Sequence, residues 1–208
     1  MYAGLAAMME LLPEGYEVVE CHGQDGDPCG CLIPLKRPDA KQGVLCKVHG
    51  PKADQGAAKA LQAIKKAGYS GPVMTQFPVF SEAGKKQSRL LPAMNRSVQR
   101  RGGVFRKGVL KVDMMLSSSG PNPNIAAVEV QGRNHDVDNR VEHRDEIKAR
   151  CVECLHRCEL FEVDTCEPDG CLKTGVTRSG RQIRRVHSDK VSHSESKACE
   201  IAEYLNSK

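Results

Sequence analysis

Two acidic residues lie at the ends of neighbouring apolar stretches of this chain. Asp113 ends the half-strand VLKV, and Glu129 lies in AAVEVQG, two residues before Gln131. A turn of hairpin type joins the two stretches, so strand pairing is expected to bring both carboxylates side by side at one edge of a sheet. Adjacent carboxylates repel each other unless a cation lies between them, and such oxygen ligands suit Mg²⁺ or Mn²⁺. The alternative is an edge-strand Asp and Glu in surface ion pairs.

A second chemical feature is the cysteine content, because the chain has ten cysteines in 208 residues. The N-terminal stretch lacks a basic region before its apolar residues, so we predict an intracellular, reducing compartment. There, cysteines serve as metal ligands or as buried apolar thiols. Cys29-Gly-Cys31 and Cys46-Lys-Val-His49 lie on glycine-rich turns and resemble two zinc knuckles.

This spacing predicts a structural zinc site with the ligands Cys29, Cys31, Cys46 and His49. Either Cys21 or His22 can replace one residue of the first pair. The other interpretation is a glycine-rich hairpin with incidental thiols.

Cys151, Cys154 and Cys158 follow a helical pattern over residues 141–160, which makes buried apolar thiols the simpler interpretation. Cys166 and Cys171 flank the turn EPDG. The alternative is a second metal site that joins Cys154 or Cys158 to this turn.

A mixed sheet with helices on its faces is needed to position these residues, which places the chain in the α/β (α+β) class. Strand patterns cover 72–80, 108–116, 125–132 and 159–164, and helical patterns cover 54–69, 141–157 and the C-terminal residues from 194. We expect two units: 1–52, a helix and a small zinc-ribbon-like appendage, and 53–208, the main domain. No apolar run approaches the roughly 18–20 residues that span a bilayer, so no membrane partner is predicted.

Basic residues are concentrated between the first two main-domain strands. Residues 83–111 contain nine Lys or Arg and no acid, and a second basic loop covers 173–190. Such a run predicts salt-dependent contacts with nucleic-acid phosphates, while a solvated loop is the alternative. The basic residues predicted to contact DNA are Lys85, Lys86, Arg89, Arg96, Arg100, Arg101, Arg106 and Lys107.

Taken together, residues 54–165 resemble the PD-(D/E)XK, or restriction-endonuclease-like, nuclease superfamily. They are most similar to its small very-short-patch-repair-like branch. The motifs that carry the resemblance are Gln76-Phe77-Pro78, Val112-Asp113-Met114, the segment Glu129 to His135, Arg144-Asp145 and the strand Glu159 to Asp164. Val112 stands where the superfamily has Pro, and Gln131 stands where it has Lys.

The resemblance implies a metal-dependent DNA endonuclease with a restriction-endonuclease-like mixed sheet. Asp113, Glu129 and the Val130 carbonyl would hold Mg²⁺ or Mn²⁺, and Gln131 would position the attacking water. His135 would contact phosphate or aid proton transfer, or else cap the next helix. Further DNA contacts are expected from Arg133 and Asn134.

Two functions of different class follow from the sequence. One is phosphodiester hydrolysis in duplex or branched DNA, which for both strands requires a homodimer or a second encounter. The other is non-catalytic nucleic-acid binding on a nuclease-like fold with a zinc ribbon. The absence of the usual Lys at 131 keeps the second function open.

Overall fold

The computed structural model describes the chain in several stretches. The described residues are 3–23, 29–36, 46, 48, 55–79, 110–131, 148–149, 151–152, 155–164 and 193–207, with 131, 164, 193 and 194 described by backbone alone. The basic stretch 83–109, the loop 173–190, the segment 132–147 and His49 lie outside them.

Within these residues the chain folds as α+β, with three helices and one mixed sheet of six strands. The predicted class is therefore confirmed. The elements are α1 (Ala3–Glu10), β1 (Tyr16–Glu20), β2 (Cys31–Lys36), α2 (Gln55–Lys66), β3 (Val73–Pro78), β4 (Lys111–Ser117), β5 (Ile125–Gln131), β6 (Cys158–Asp164) and α3 (His193–Asn206).

The strands lie side by side in the order in which they occur along the chain. β1–β2, β3–β4 and β4–β5 are antiparallel, whereas β2–β3 and β5–β6 are parallel. The first two strands come from the segment predicted as an appendage, and they extend the same sheet through the pairing of Cys31 with Val73. The thiol-rich segment is thus continuous with the main sheet.

Helix α2 forms because its apolar residues recur on one face. Ala57, Ala60, Leu61 and Ile64 are buried, and lysines cover the opposite side. The helix ends in a Schellman motif: Tyr69 N donates to Ile64 O at 3.3 Å and Gly68 N donates to Lys65 O at 3.0 Å. Gly68 has φ +98°, which confirms the predicted stop at this glycine.

Helices cover both faces of the sheet. α2 and α3 pack on one face with Leu116, Val128 and Phe161 among the buried residues; we call this the helix-pair cluster. On the other face Met8 of α1 and Val152 pack with Met74, Phe77, Val112, Met115, Ile125 and Ala127; we call this the α1 cluster. Among the described residues, no helix has the length and apolar character that a membrane crossing requires.

Of the helix predicted over 141–157, residues 148, 149, 151 and 152 are helical, whereas residues 155–157 form a bend and turn. Cys158 was expected on that helical pattern, but it is the first residue of β6. A residue in the left-handed conformation, Arg157 with φ +55°, separates the helical residues from the strand. The strand predicted from 159 thus begins one residue earlier, at Cys158.

Candidate functional site

Strand register brings Asp113 and Glu129 to neighbouring positions in the interior of the sheet. The last recorded pair of β4 and β5 is Met114 with Val128, and continuing the register places Asp113 opposite Glu129. The Asp113 carboxylate Oδ2 accepts a hydrogen bond of 2.9 Å from the Val130 amide. Asp113 is thereby fixed beside the C-terminal end of β5, next to the predicted metal ligands Glu129 and Val130.

Glu129 is a buried carboxylate. Only 2% of its surface is exposed, and its Oε2 forms an ion pair and hydrogen bond with the Lys148 ammonium. Lys148 is itself buried, with 5% exposed. The surface ion pair offered as the alternative therefore does not describe Glu129, which is held by a cation inside the protein.

Lys148 is the site residue that the sequence interpretation did not include. The helical residues bury Lys148, Ala149 and Val152, whereas Cys151 of the predicted apolar stripe is only half-buried. A usable signal was present, because Lys148 precedes Val152 and Leu155 by four and seven residues on one helical face. A lysine that is fully buried with such an apolar stripe is almost always paired with an anion.

The alternation of side chains between the two faces of the sheet reverses in β3 and β4 at this site. Leu116 and Met114 belong to the helix-pair cluster, but Val112, which alternation would place with them, belongs to the α1 cluster. On the paired strand β3, Val73 belongs to the helix-pair cluster and Phe77 to the α1 cluster, although alternation would place both on one face. The change occurs at Gln76 and Asp113.

Gln76 occupies the register position facing Asp113, between the pairs Thr75–Met114 and Phe77–Val112. It has φ +56°, the left-handed conformation that a residue with a side chain adopts at a cost. The Gln76 carbonyl Oε1 accepts a hydrogen bond of 3.5 Å from Lys111 Nζ. A residue of the Gln-x-Pro motif therefore lies beside the candidate carboxylate.

The remaining predicted residues of this site are only partly described. Gln131 ends β5 and pairs in register with Asp164, but its side chain lies outside the described residues. Arg133, Asn134, His135, Arg144 and Asp145 lie outside them altogether, as do the DNA contacts predicted between Lys85 and Lys107.

A second candidate site consists of three cysteines near the start of β2, two of them buried and one half-buried. The Sγ atoms of Cys21, Cys29 and Cys46 all lie within 4.8 Å of one another, a group that could hold a metal ion such as zinc. Two of its members, Cys29 and Cys46, belong to the predicted ligand set. Cys21, which the sequence offered as an alternative, takes part, whereas His22 is exposed.

Cys31 lies next to this group. Its thiol hydrogen-bonds to the thiol of Cys46, and this contact, followed by burial, raises its pKa well above the usual range. Burial raises the pKa of the Cys29 thiol to about 11. Burial thus favours the neutral form of the Cys29 and Cys31 thiols.

The later cysteines give no second metal group among the described residues. Burial raises the pKa of the Cys158 thiol to about 12, as expected for an apolar thiol in the core. Cys154, Cys166 and Cys171 lie outside the described residues. None of the seven cysteines described by side chain forms a disulfide.

Comparison of the chain with protein-family profiles, curated proteins and solved structures returns no significant match. The two sites are therefore interpreted from their own residues.

Proposed function

We propose that this protein is a metal-dependent DNA endonuclease whose centre contains Asp113, Glu129, the Val130 carbonyl and Lys148. The observation that carries the proposal is the buried Glu129–Lys148 ion pair beside Asp113. A pair of apolar side chains would stabilise a sheet interior about as well as such an ion pair, so stability alone gives no reason for it. Buried ionisable groups of this kind are typical of functional sites.

The donor set suits a hard divalent cation. Asp113 and Glu129 supply carboxylate oxygens and Val130 supplies a carbonyl oxygen, which are the ligand types of Mg²⁺ and Mn²⁺. When bound, the metal lowers the pKa of a coordinated water and stabilises negative charge on the phosphate. The Val130 amide orients the Asp113 carboxylate for this role through its 2.9 Å hydrogen bond.

Lys148 supplies the positive charge that the sequence motif lacks at position 131. Its ammonium reaches Glu129 from the helical residues on the α1 face, rather than from β5 itself. In the site without substrate it compensates the Glu129 carboxylate. With DNA bound, the same ammonium can stabilise charge on the scissile phosphate, which is the role that the resemblance gives to the superfamily's lysine.

The order of the elements supports the same function. Helix α2, the antiparallel strands β3, β4 and β5, the helical residues near 148–152 and the parallel strand β6 follow one another as the resemblance implies for residues 54–165. Asp113 lies near the start of β4 and Glu129 near the end of β5, which are the positions that the resemblance would give to metal ligands.

Non-catalytic nucleic-acid binding is the second candidate function, and one observation favours it. The Lys148 ammonium compensates the charge of the Glu129 carboxylate. A chain that had lost catalysis could retain this pair for folding alone. Its basic run would then bind DNA without cleavage.

The test is cleavage of plasmid and branched DNA in Mg²⁺ or Mn²⁺, with chelator as the negative control. We expect nicking by the wild-type protein and a loss of at least about 100-fold in Asp113→Asn and Glu129→Gln. Glu162→Gln is the matched control, because Glu162 is the exposed register neighbour of Glu129 on β6. Wild-type protein that binds DNA but cleaves no substrate with either metal would leave the binding function as the correct one.

A further inference from the structure

We propose that Cys21, Cys29, Cys31 and Cys46 form a four-thiolate zinc site, and that His49 is not a ligand. This inference is independent of nuclease activity. It changes the predicted ligand set at one position, because Cys21 replaces His49 while Cys29, Cys31 and Cys46 are kept.

The sulfur positions fit one tetrahedral zinc ion. A zinc–sulfur bond of about 2.3 Å places neighbouring sulfurs of a tetrahedron about 3.8 Å apart. The Sγ atoms of Cys29 and Cys46 are 3.8 Å apart, and Cys21 Sγ lies within 4.8 Å of both. Cys31 N donates to Cys29 Sγ at 3.4 Å, which places Cys31 beside the three sulfurs as the fourth ligand of the proposed site.

Backbone amides point at these sulfur atoms. Gly23 N donates to Cys21 Sγ at 3.3 Å, Cys31 N donates to Cys29 Sγ at 3.4 Å, and Cys46 N donates to Cys21 Sγ at 3.1 Å. Amide donors stabilise the thiolate form that binds metal. Thiols that serve only as small apolar residues do not require such donors.

Two turns of the same design present the ligands. In each, the amide two residues after a cysteine donates to that cysteine's sulfur. Each turn also contains a glycine in the left-handed conformation, Gly23 with φ +73° and Gly30 with φ +70°. This conformation lets the backbone curve around the sulfur, which a residue with a side chain would resist.

The site joins three parts of the chain. Cys21 follows β1 and its amide donates to the Cys31 carbonyl at 2.8 Å, while Cys31 begins β2 and pairs with Val73 of β3. Cys46 comes from the segment that leads to α2. One zinc ion would therefore join β1, β2 and the segment before α2.

The first experiment measures zinc in the full-length protein purified under reducing conditions. We expect about one zinc per chain, with a zinc extended X-ray absorption fine structure spectrum that is fitted by four sulfur neighbours. Three sulfurs and one nitrogen at about 2.0 Å would overturn the ligand set, and absence of zinc would overturn the site itself. This measurement needs no variant and so does not depend on the folding of one.

The second experiment compares variants loaded with Co²⁺. His49→Ala should keep the metal and the full thiolate charge-transfer absorption, whereas Cys31→Ser should lose about one quarter of that absorption or release the metal to a chelator. Cys158→Ser and Cys199→Ser are controls outside the site and should match the wild type. Loss of metal in His49→Ala together with an unchanged Cys31→Ser spectrum would contradict the proposal.

Discussion

Glu129 and Lys148 are two opposite charges removed from water, and their mutual contact compensates the desolvation of each. Both are nearly inaccessible, and they come from residues nineteen positions apart in the sequence. Breaking such a pair leaves one uncompensated buried charge, whereas removing both charges often costs little. This difference allows a structural role to be separated from a catalytic one.

At the residue scale, we predict that Lys148→Met and Glu129→Gln each destabilise the protein by about 3–5 kcal/mol. The double variant should recover most of that loss, because no unpaired charge remains. Urea denaturation of all four proteins measures the recovery, and DNA cleavage is measured on the same samples. Cleavage should stay absent in the double variant; a double variant that regains stability and activity together would make the pair purely structural.

At the scale of elements, the side-chain alternation of the β3–β4 pair reverses at Gln76 and Asp113. Beyond this point the side chains of both strands change faces, so Phe77 and Val112 pack in the α1 cluster. The left-handed backbone of Gln76 accompanies the change. The same reversal places Asp113 where its carboxylate meets the Val130 amide instead of continuing the ladder. The site thus depends on a local irregularity in two adjacent strands.

We predict that Gln76→Gly stabilises the protein by about 1 kcal/mol, because glycine adopts the left-handed conformation without the steric cost of a Cβ. Gln76→Ala is the matched control, since it removes the same polar group but keeps the Cβ. Urea midpoints should rank Gly above Ala. Equal midpoints for the two variants would mean that the backbone at this position carries no strain.

At the scale of the whole molecule, charge is divided unevenly between the described sheet and the basic run. The run 83–111 contains nine cations and no acid, while the chain as a whole has a formal net charge of only +5. A concentrated run neutralises several neighbouring phosphates at once, whereas scattered surface lysines do not. DNA affinity should therefore depend on where the charge lies and not only on its total.

We predict that replacing Arg100, Arg101, Arg106 and Lys107 by Gln weakens binding to all DNA sequences. The slope of log affinity against log salt should fall by about 1 for each phosphate contact removed. The matched control replaces four exposed lysines of β2 and α2 by Gln: Lys36, Lys59, Lys65 and Lys66. Equal salt slopes in the two variants would mean that only the net charge matters. An unchanged slope in the first variant would mean that DNA binds at 173–190 instead.

The sequence alone determined the parts of the fold that depend on local spacing. The apolar repeat of α2 and its Gly68 stop, the strands β3 to β6 and the approach of Asp113 to Glu129 across β4 and β5 could all be predicted. Helix and strand periodicity is a property of neighbouring residues, and an antiparallel pair joined by a short turn fixes its own register.

Only the tertiary structure decided the contacts between distant segments. Three features join residues that no local spacing pattern relates. They are the pairing of Glu129 with Lys148, the position of Cys21 beside the other thiols, and the addition of β1 and β2 to the main sheet. Several lysines and cysteines had suitable types and spacing. The choice among them is made by packing. The buried Glu129 carboxylate pairs with the Lys148 ammonium on the α1 face, and the thiols of Cys21, Cys29 and Cys46 meet where β1, β2 and the segment before α2 converge.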